Sequence, residues 1–162
     1  MDKREMVERY AAGERNFTRI KISAEDLCRI NLSGADFSGA ILAEYEMSCA
    51  ILRNVNFRNT RLTDSCLDSA DLTGANMRGA SLRGASLKCA NLTEVDFRGA
   101  RFENTDFRRA NLTRANLSGV DLRDAFLREA DLSGANLKET DLSKVVFHNT
   151  IMPDGSIRNS SD

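Results

Sequence analysis

Tryptophan is absent from this 162-residue chain, which also has only one proline, one histidine and two tyrosines. No apolar run approaches the ~18 residues of a membrane span, so no membrane role is expected. The opening Met1-Asp2-Lys3-Arg4-Glu5 lacks the apolar stretch of a secretory leader, and the expected location is the cytoplasm. An excess of charge of either sign is missing as well. Lys plus Arg is 23 and Asp plus Glu is 24, a net charge of −1. Direct nucleic-acid binding calls for a strongly basic surface and is not expected; a protein that imitates DNA calls for a strongly acidic one. No phosphate-binding loop, dinucleotide fingerprint or paired-carboxylate motif occurs. What remains is ample for a core: 41% of residues are hydrophobic and 29% charged, outside the disordered range.

The apolar residues recur with a period of five. From Phe17 through Ile22, Leu27, Leu32 and Phe37 to Leu142, Phe147 and Met152, 28 consecutive fifth positions carry Leu, Ile, Met or Phe. From Ala35 onward, two residues before each centre stands most often Ala, otherwise Val, Thr or Ser, and once Tyr45. The residue just before the centre is Asp or Asn in 16 of the 28 repeats. The unit is A-(D/N)-L-x-x, as in Ala70-Asp71-Leu72-Thr73-Gly74. Neither regular element tolerates this period. An α-helix advances ~100° per residue, so a five-residue stripe drifts by roughly 140° per repeat. A strand alternates faces with period two, so an odd period sends successive centres to opposite sides. The chain keeps its centres on one side only by turning a corner every five residues. Gly34, Gly39, Gly74 and their equivalents fall two residues after the centre, where a turn needs permissive φ.

A second period groups the repeats by four. At steps of twenty the residue before the centre is Asn16, Asp36, Asn56, Asn76, Asp96, Asn116 and Asn136, Asp or Asn every time. Phe17, Phe37, Phe57 and Phe97 share a column too. Four pentapeptides per turn follow, with Asn side chains hydrogen-bonding between turns.

This tandem array resembles the pentapeptide repeat family over roughly residues 17 to 152. The flanks Val7–Phe17 and Thr150–Gly155 are similar to those of cyanobacterial members. The resemblance implies an all-β fold, a right-handed quadrilateral β-helix with the centre and Ala-type positions inward and the other three outward. About seven four-sided coils would be stacked. For function it implies little, since members range from DNA-gyrase protectors to proteins without a known role.

Solenoids need caps. Asp2 with Glu5 three residues on reads as a helix start, and Met6, Val7, Tyr10 and Ala11 form one side of a short helix over 2–12. The expected organisation is a capping helix over 1–13, a β-helix over 14–152, and a turn and tail over 153–162. Pro153-Asp154-Gly155 is the turn, Ile157 keeps the repeat phase, and Asn159–Asp162 is read as frayed. The apolar last turn, Val145, Val146, Phe147, Ile151 and Met152, is covered either by Ile157 folding back, which leaves the expected monomer, or by a second molecule in a C-terminal dimer, for which the resemblance offers precedent.

Chemistry is scarce. Cys28, Cys49, Cys66 and Cys89 occupy no common column in adjacent coils, and no Cys-x-x-Cys pair suits zinc, so free thiols are expected. His148 should point outward, with no nucleophile beside it. The faces should be flat or convex. The chain reads as a non-enzyme without cofactor or metal, acting as a scaffold or regulator on an unidentified protein partner. A DNA-mimicking modulator of gyrase is the alternative. Arg58, Arg78 and Arg98 stack in an outward basic stripe, with Lys88, Arg108, Arg128 and His148 opposite. Each row is either a solvated face or a docking stripe. Two apolar groups stand at outward positions: Phe126 stacked on Val146, and Ile41, Tyr45 and Ile51 in the second coil. Tyr45 is too large for an Ala-sized corner and predicts a bulge or an outward ring. Both groups are candidate protein contacts or local irregularities.

Overall fold

A computed structural model describes residues 1–18, 20 and 26–160; the repeat centre Ile22 and the last two residues lie outside them. From Asn16 to Ile151, parallel bridges join residues twenty apart, as in Asn16–Asp36, Ile41–Arg61, Glu46–Cys66 and Asn31–Ile51. Four columns of bridges, with a turn between neighbouring columns, make a four-sided parallel coil. Each side pairs through a single residue, and among the described residues only β1 (Thr150–Ile151) and β2 (Ile157–Arg158) run as strands.

The pentapeptide signature has a local physical cause at every position. In Asn31-Leu32-Ser33-Gly34-Ala35 the Leu32 carbonyl accepts from the Ala35 N–H at 3.1 Å, and Gly34 has φ +69°. That is a type II turn, which needs a left-handed residue at its third position. Asn, Glu or Arg occupies the same conformation at Asn54, Glu94 and Arg114. The Asp or Asn before the centre closes the side: Asn56 Oδ1 accepts the Arg58 N–H at 3.1 Å, and Asp71 Oδ1 accepts both the N–H and the hydroxyl of Thr73. Between turns, Asn56 donates from Nδ2 to Asp36 Oδ1 at 3.0 Å, and Asn76 to Asn56 at 3.3 Å.

Centres and small corner residues fill the interior. Phe17, Phe57, Leu72, Leu92 and Phe97 are fully buried, and the Phe column stacks, with ring centroids 5.4 Å apart for Phe17–Phe37 and 5.6 Å for Phe37–Phe57. Thr60, Ser65, Thr105 and Thr150 at the Ala position are also buried, and the hydroxyl bonds to the neighbouring coil: Thr60 donates to Phe37 O at 2.8 Å, Thr105 to Leu82 O at 2.8 Å and Thr150 to Leu127 O at 2.8 Å. This satisfies a polar group that burial would otherwise penalise.

The expected disruption at Tyr45 does not occur. The side chain is buried at 9% exposure, the turn pattern around it is regular, and Cys66 N–H bonds to Tyr45 O at 2.9 Å. The ring joins the hydrophobic core.

Both ends are covered. Helix α1 (Lys3–Ala11) is capped by Asp2, whose carboxylate accepts the Glu5 N–H at 2.8 Å. It buries Met6 against the first coil, while Tyr10 donates to Ser33 O at 2.9 Å and Lys3 pairs with Asp26 at 3.7 Å. At the other end β1 pairs antiparallel with β2 through a turn at Pro153–Gly155. Two expectations fail here. Ile157 returns alongside Ile151, but its side chain is 66% exposed and does not cover the core, because antiparallel pairing breaks the five-residue phase. Asn159 and Ser160 are not frayed: Asn159 Oδ1 accepts the Asn149 N–H, and Ser160 bonds twice to Phe147. Arg158 lies over the Phe147 ring at 4.2 Å.

Candidate protein-binding surface

Ladder bonds fix where each outward side chain points, so the surface is built from the bridge columns. The columns through Asn16 and Asn31 run without a break to Asn136 and Ile151. The other two break once each, between Arg101 and Asp121 and between Phe126 and Val146. The two breaks flank one corner, Leu122–Ala125. Asp124 there is not in the left-handed conformation that Asp64, Gly84 and Asn104 adopt in the same column, nor is Lys144 one turn on, and Asn104 N–H bonds to Asp124 O at 3.1 Å in place of the carbonyl one residue earlier. That slip by one residue accompanies the loss of ladder bonds on either side of the corner. Phe102 and Asp121, and likewise Leu127 and Val146, then fail to make the backbone bonds that the repeat makes elsewhere.

The expectation of flat or convex faces is therefore corrected. One recess of about 210 Å³ is lined by Ala100, Phe102, Glu103, Asp121 and Asp124. Its neighbour, about 450 Å³, is lined by Asn104, Arg123, Asp124, Ala125, Phe126, Arg128, Lys144 and Val146, three cations to one acid. Phe126 is 49% and Val146 64% exposed, so the structure brings this predicted pair together at one recess. Arg123 is fully engaged: its guanidinium bonds to both Asp121 oxygens, the shorter contact 2.5 Å, and reaches Asp141 at 3.4 Å. These bonds, with the Arg123 N–H, draw the Asp121 carboxyl down to about 2. Arg128 and Lys144 have no carboxylate in ion-pair contact among the described residues.

The second apolar group does not form. Ile41 and Ile51 are exposed, but they are ten residues apart, half of one twenty-residue turn, and lie on opposite sides of the coil. Tyr45 is inside. Proximity in sequence was not proximity in space.

The basic stripe is unevenly paired. Arg98 grips Asp96 at 2.6 Å, lowering the Asp96 carboxyl, whereas Arg58 and Arg78 have no ion pair among the described residues. Opposite, Lys88 and Arg108 share Asp106 at 3.6 and 2.7 Å, and His148 is exposed. All four cysteines are free thiols; burial raises that of Cys28. Among the described residues no cluster of His, Cys, Asp and Glu is placed to hold a metal ion, and no helix is long and apolar enough to cross a membrane.

The sequence placed Arg128 in the row opposite the basic stripe, but left Lys144 and the displaced corner unassigned as a site. No sequence signal marks that corner, since Asp64 and Arg109 occupy the same repeat position in the ordinary left-handed conformation.

Comparison with known proteins follows this geometry. Among curated proteins none matches the chain. Of solved structures, HetL, a pentapeptide repeat protein involved in heterocyst differentiation regulation in Nostoc sp. strain PCC 7120, is 27% identical over 98% of this chain and 100% of its own, with a TM-score of 0.38. QnrB1, a plasmid-mediated fluoroquinolone resistance protein, is 27% identical over 84% of this chain, with a TM-score of 0.50; the match spans 65% of QnrB1. A pentapeptide repeat protein of the Arabidopsis thaliana thylakoid lumen is 36% identical over 56% of this chain and 67% of its own, with a TM-score of 0.32. The family profile for pentapeptide repeats matches in eight copies, within segments that run from residue 30 to residue 149. With that profile covering most of its length and the five-residue unit realised turn by turn, this chain belongs to the pentapeptide repeat family and is a β-helix solenoid.

Proposed function

We propose that this chain is a non-enzymatic scaffold or regulator that works in the cytoplasm by binding another protein. Its body, residues 14–152, is a right-handed coil of about seven turns, with a cap over 1–13 and a closing tail over 153–162. The observation that carries this reading is the exposed Phe126–Val146 pair in a recess of an otherwise polar wall. Apolar surface of this kind is retained where a partner covers it. An enzyme would want a group poised to titrate near neutrality in a concave site. The recess beside it offers Asp121, whose carboxyl lies far below that range because Arg123 holds it. The tail hydrogen-bonded to Phe147 and Asn149 supports a monomer.

The likeness to QnrB1 favours a second reading, a modulator of DNA gyrase that imitates DNA. Against it, the Asp and Asn column holds only Asp36 and Asp96 as acids, and Arg98 neutralises Asp96. A supercoiling assay with purified gyrase separates the two readings. Protein binding without inhibition is the expected result, and inhibition at about micromolar protein reverses the ranking.

A further inference from the structure

We propose that the recess beside Phe126 receives an extended, acidic segment of a partner protein, with an apolar side chain against Phe126 and Val146 and its carboxylates on Arg128 and Lys144. The proposal rests on the protein-binding reading above and names the chemistry of the partner.

Three observations converge on it. Phe126 and Val146 expose about half or more of their surface in a column that otherwise holds Asp26, Glu46, Cys66, Ser86 and Asp106, so the recess has an apolar side. The cations beside it divide into two kinds. Arg123 is spent on Asp121 and Asp141, while Arg128 and Lys144 form no close ion pair among the described residues, Lys144 acting on Asp121 only from a distance. Unpaired cations beside an apolar spot complement a segment that carries both acids and a hydrophobic anchor. Finally, the break between Phe126 and Val146 interrupts the backbone ladder. Neither the bond from Leu127 N–H to Val146 O nor that from Val146 N–H to Ala125 O is made. An extended polypeptide supplies carbonyls and N–H groups to such an interrupted edge. A phosphate backbone has no N–H groups to donate to it.

The test is fluorescence anisotropy with a labelled synthetic dodecapeptide, Glu and Asp flanking a central Leu-Phe pair, titrated with the full chain at low salt. Binding is expected to weaken at least tenfold for Phe126→Ser and for Val146→Ser, and for the double variant Arg128→Glu, Lys144→Glu. It should also weaken when Ser replaces Leu-Phe in the peptide. The control, Arg58→Glu with Arg78→Glu on the opposite face, should bind like the parent. Val146→Ser keeps the test valid if the Phe126 variant folds poorly. Absence of binding at about 1 mM, or binding indifferent to these variants, overturns the proposal. So does equal or tighter binding of a single-stranded DNA dodecamer, or self-association that Phe126→Ser abolishes. A parallel capture from native lysate separates this failure from that of the broader reading. Partners retained equally by the parent and the double charge variant would leave protein binding standing and remove the recess from it. No partner and no peptide binding would overturn both.

Discussion

Asn56 donates from its amide to the Asp36 carboxylate one turn earlier, and its own oxygen accepts the Arg58 N–H and the Asn76 amide. One side chain thus closes its own side of the coil and ties three turns together. An aspartate keeps the acceptor and loses the donor. In Asn56→Asp two carboxylates meet at the Asp36 contact, so the variant should be less stable than the parent by about 1–2 kcal/mol at pH 7. Protonation restores a donor, so the deficit should shrink as the pH falls below about 4. Urea melts of both proteins at pH 7 and pH 3.5 measure it; an unchanged gap would count against the shared hydrogen bond.

Leu92 is fully buried in mid-stack. Leu92→Ala should cost about 2–5 kcal/mol, from lost transfer energy plus the cavity. Leu92→Asp adds an unpaired buried charge and should abolish the folded state. Circular dichroism melts read both, and a Leu92→Asp protein that melts like the parent would refute the inward register.

Thr105 is buried and donates to the Leu82 carbonyl, which also accepts the Ala85 N–H at 2.9 Å. Thr105→Val removes the hydroxyl without leaving that carbonyl bare. The expected loss is about 1 kcal/mol, and Thr105→Ser should recover part of it. Denaturant midpoints of the three proteins decide the point.

The Asp121 carboxyl, lowered to about 2, should titrate there in a carboxyl-carbon NMR experiment, and Arg123→Gln should bring it back toward ~3.9. A carboxyl with a depressed folded-state value adds stability above its unfolded value and loses it as the pH falls through the folded one. The Asp121 contribution should therefore be whole above about pH 4 and fade toward pH 2. A parent and an Arg123→Gln protein with the same acid-unfolding profile would show the pair to be without thermodynamic effect.

Sedimentation equilibrium of the parent should fit one monomeric species, since the tail bonds to Phe147 and Asn149 close the last turn. A dimer dissolved by Phe126→Glu would instead make the recess an interface between copies.

The repeat could be read in advance because each pentapeptide position answers a local demand. An inward Leu or Phe, a small corner residue, an Asx acceptor and a left-handed turn residue recur every five residues, and the Asx column at Asn16, Asp36 and Asn56 exposed the twenty-residue turn. The Phe126–Val146 pair followed from the same arithmetic. Tyr45 misled because its size alone does not tell whether the packed core can take the ring, and here it does. Ile41 and Ile51 misled because they are close only along the chain.

What the sequence determined by itself is therefore the coil and its four sides, since these rest on interactions that repeat and so write themselves as a period. Tertiary structure alone decided where the period fails. The slipped bond from Asn104 to Asp124, the two interrupted columns and the recess between them are set by how one turn settles on the next. Asp124 resembles the residues at equivalent corners, and only the stacking energy of the whole wall selects its conformation.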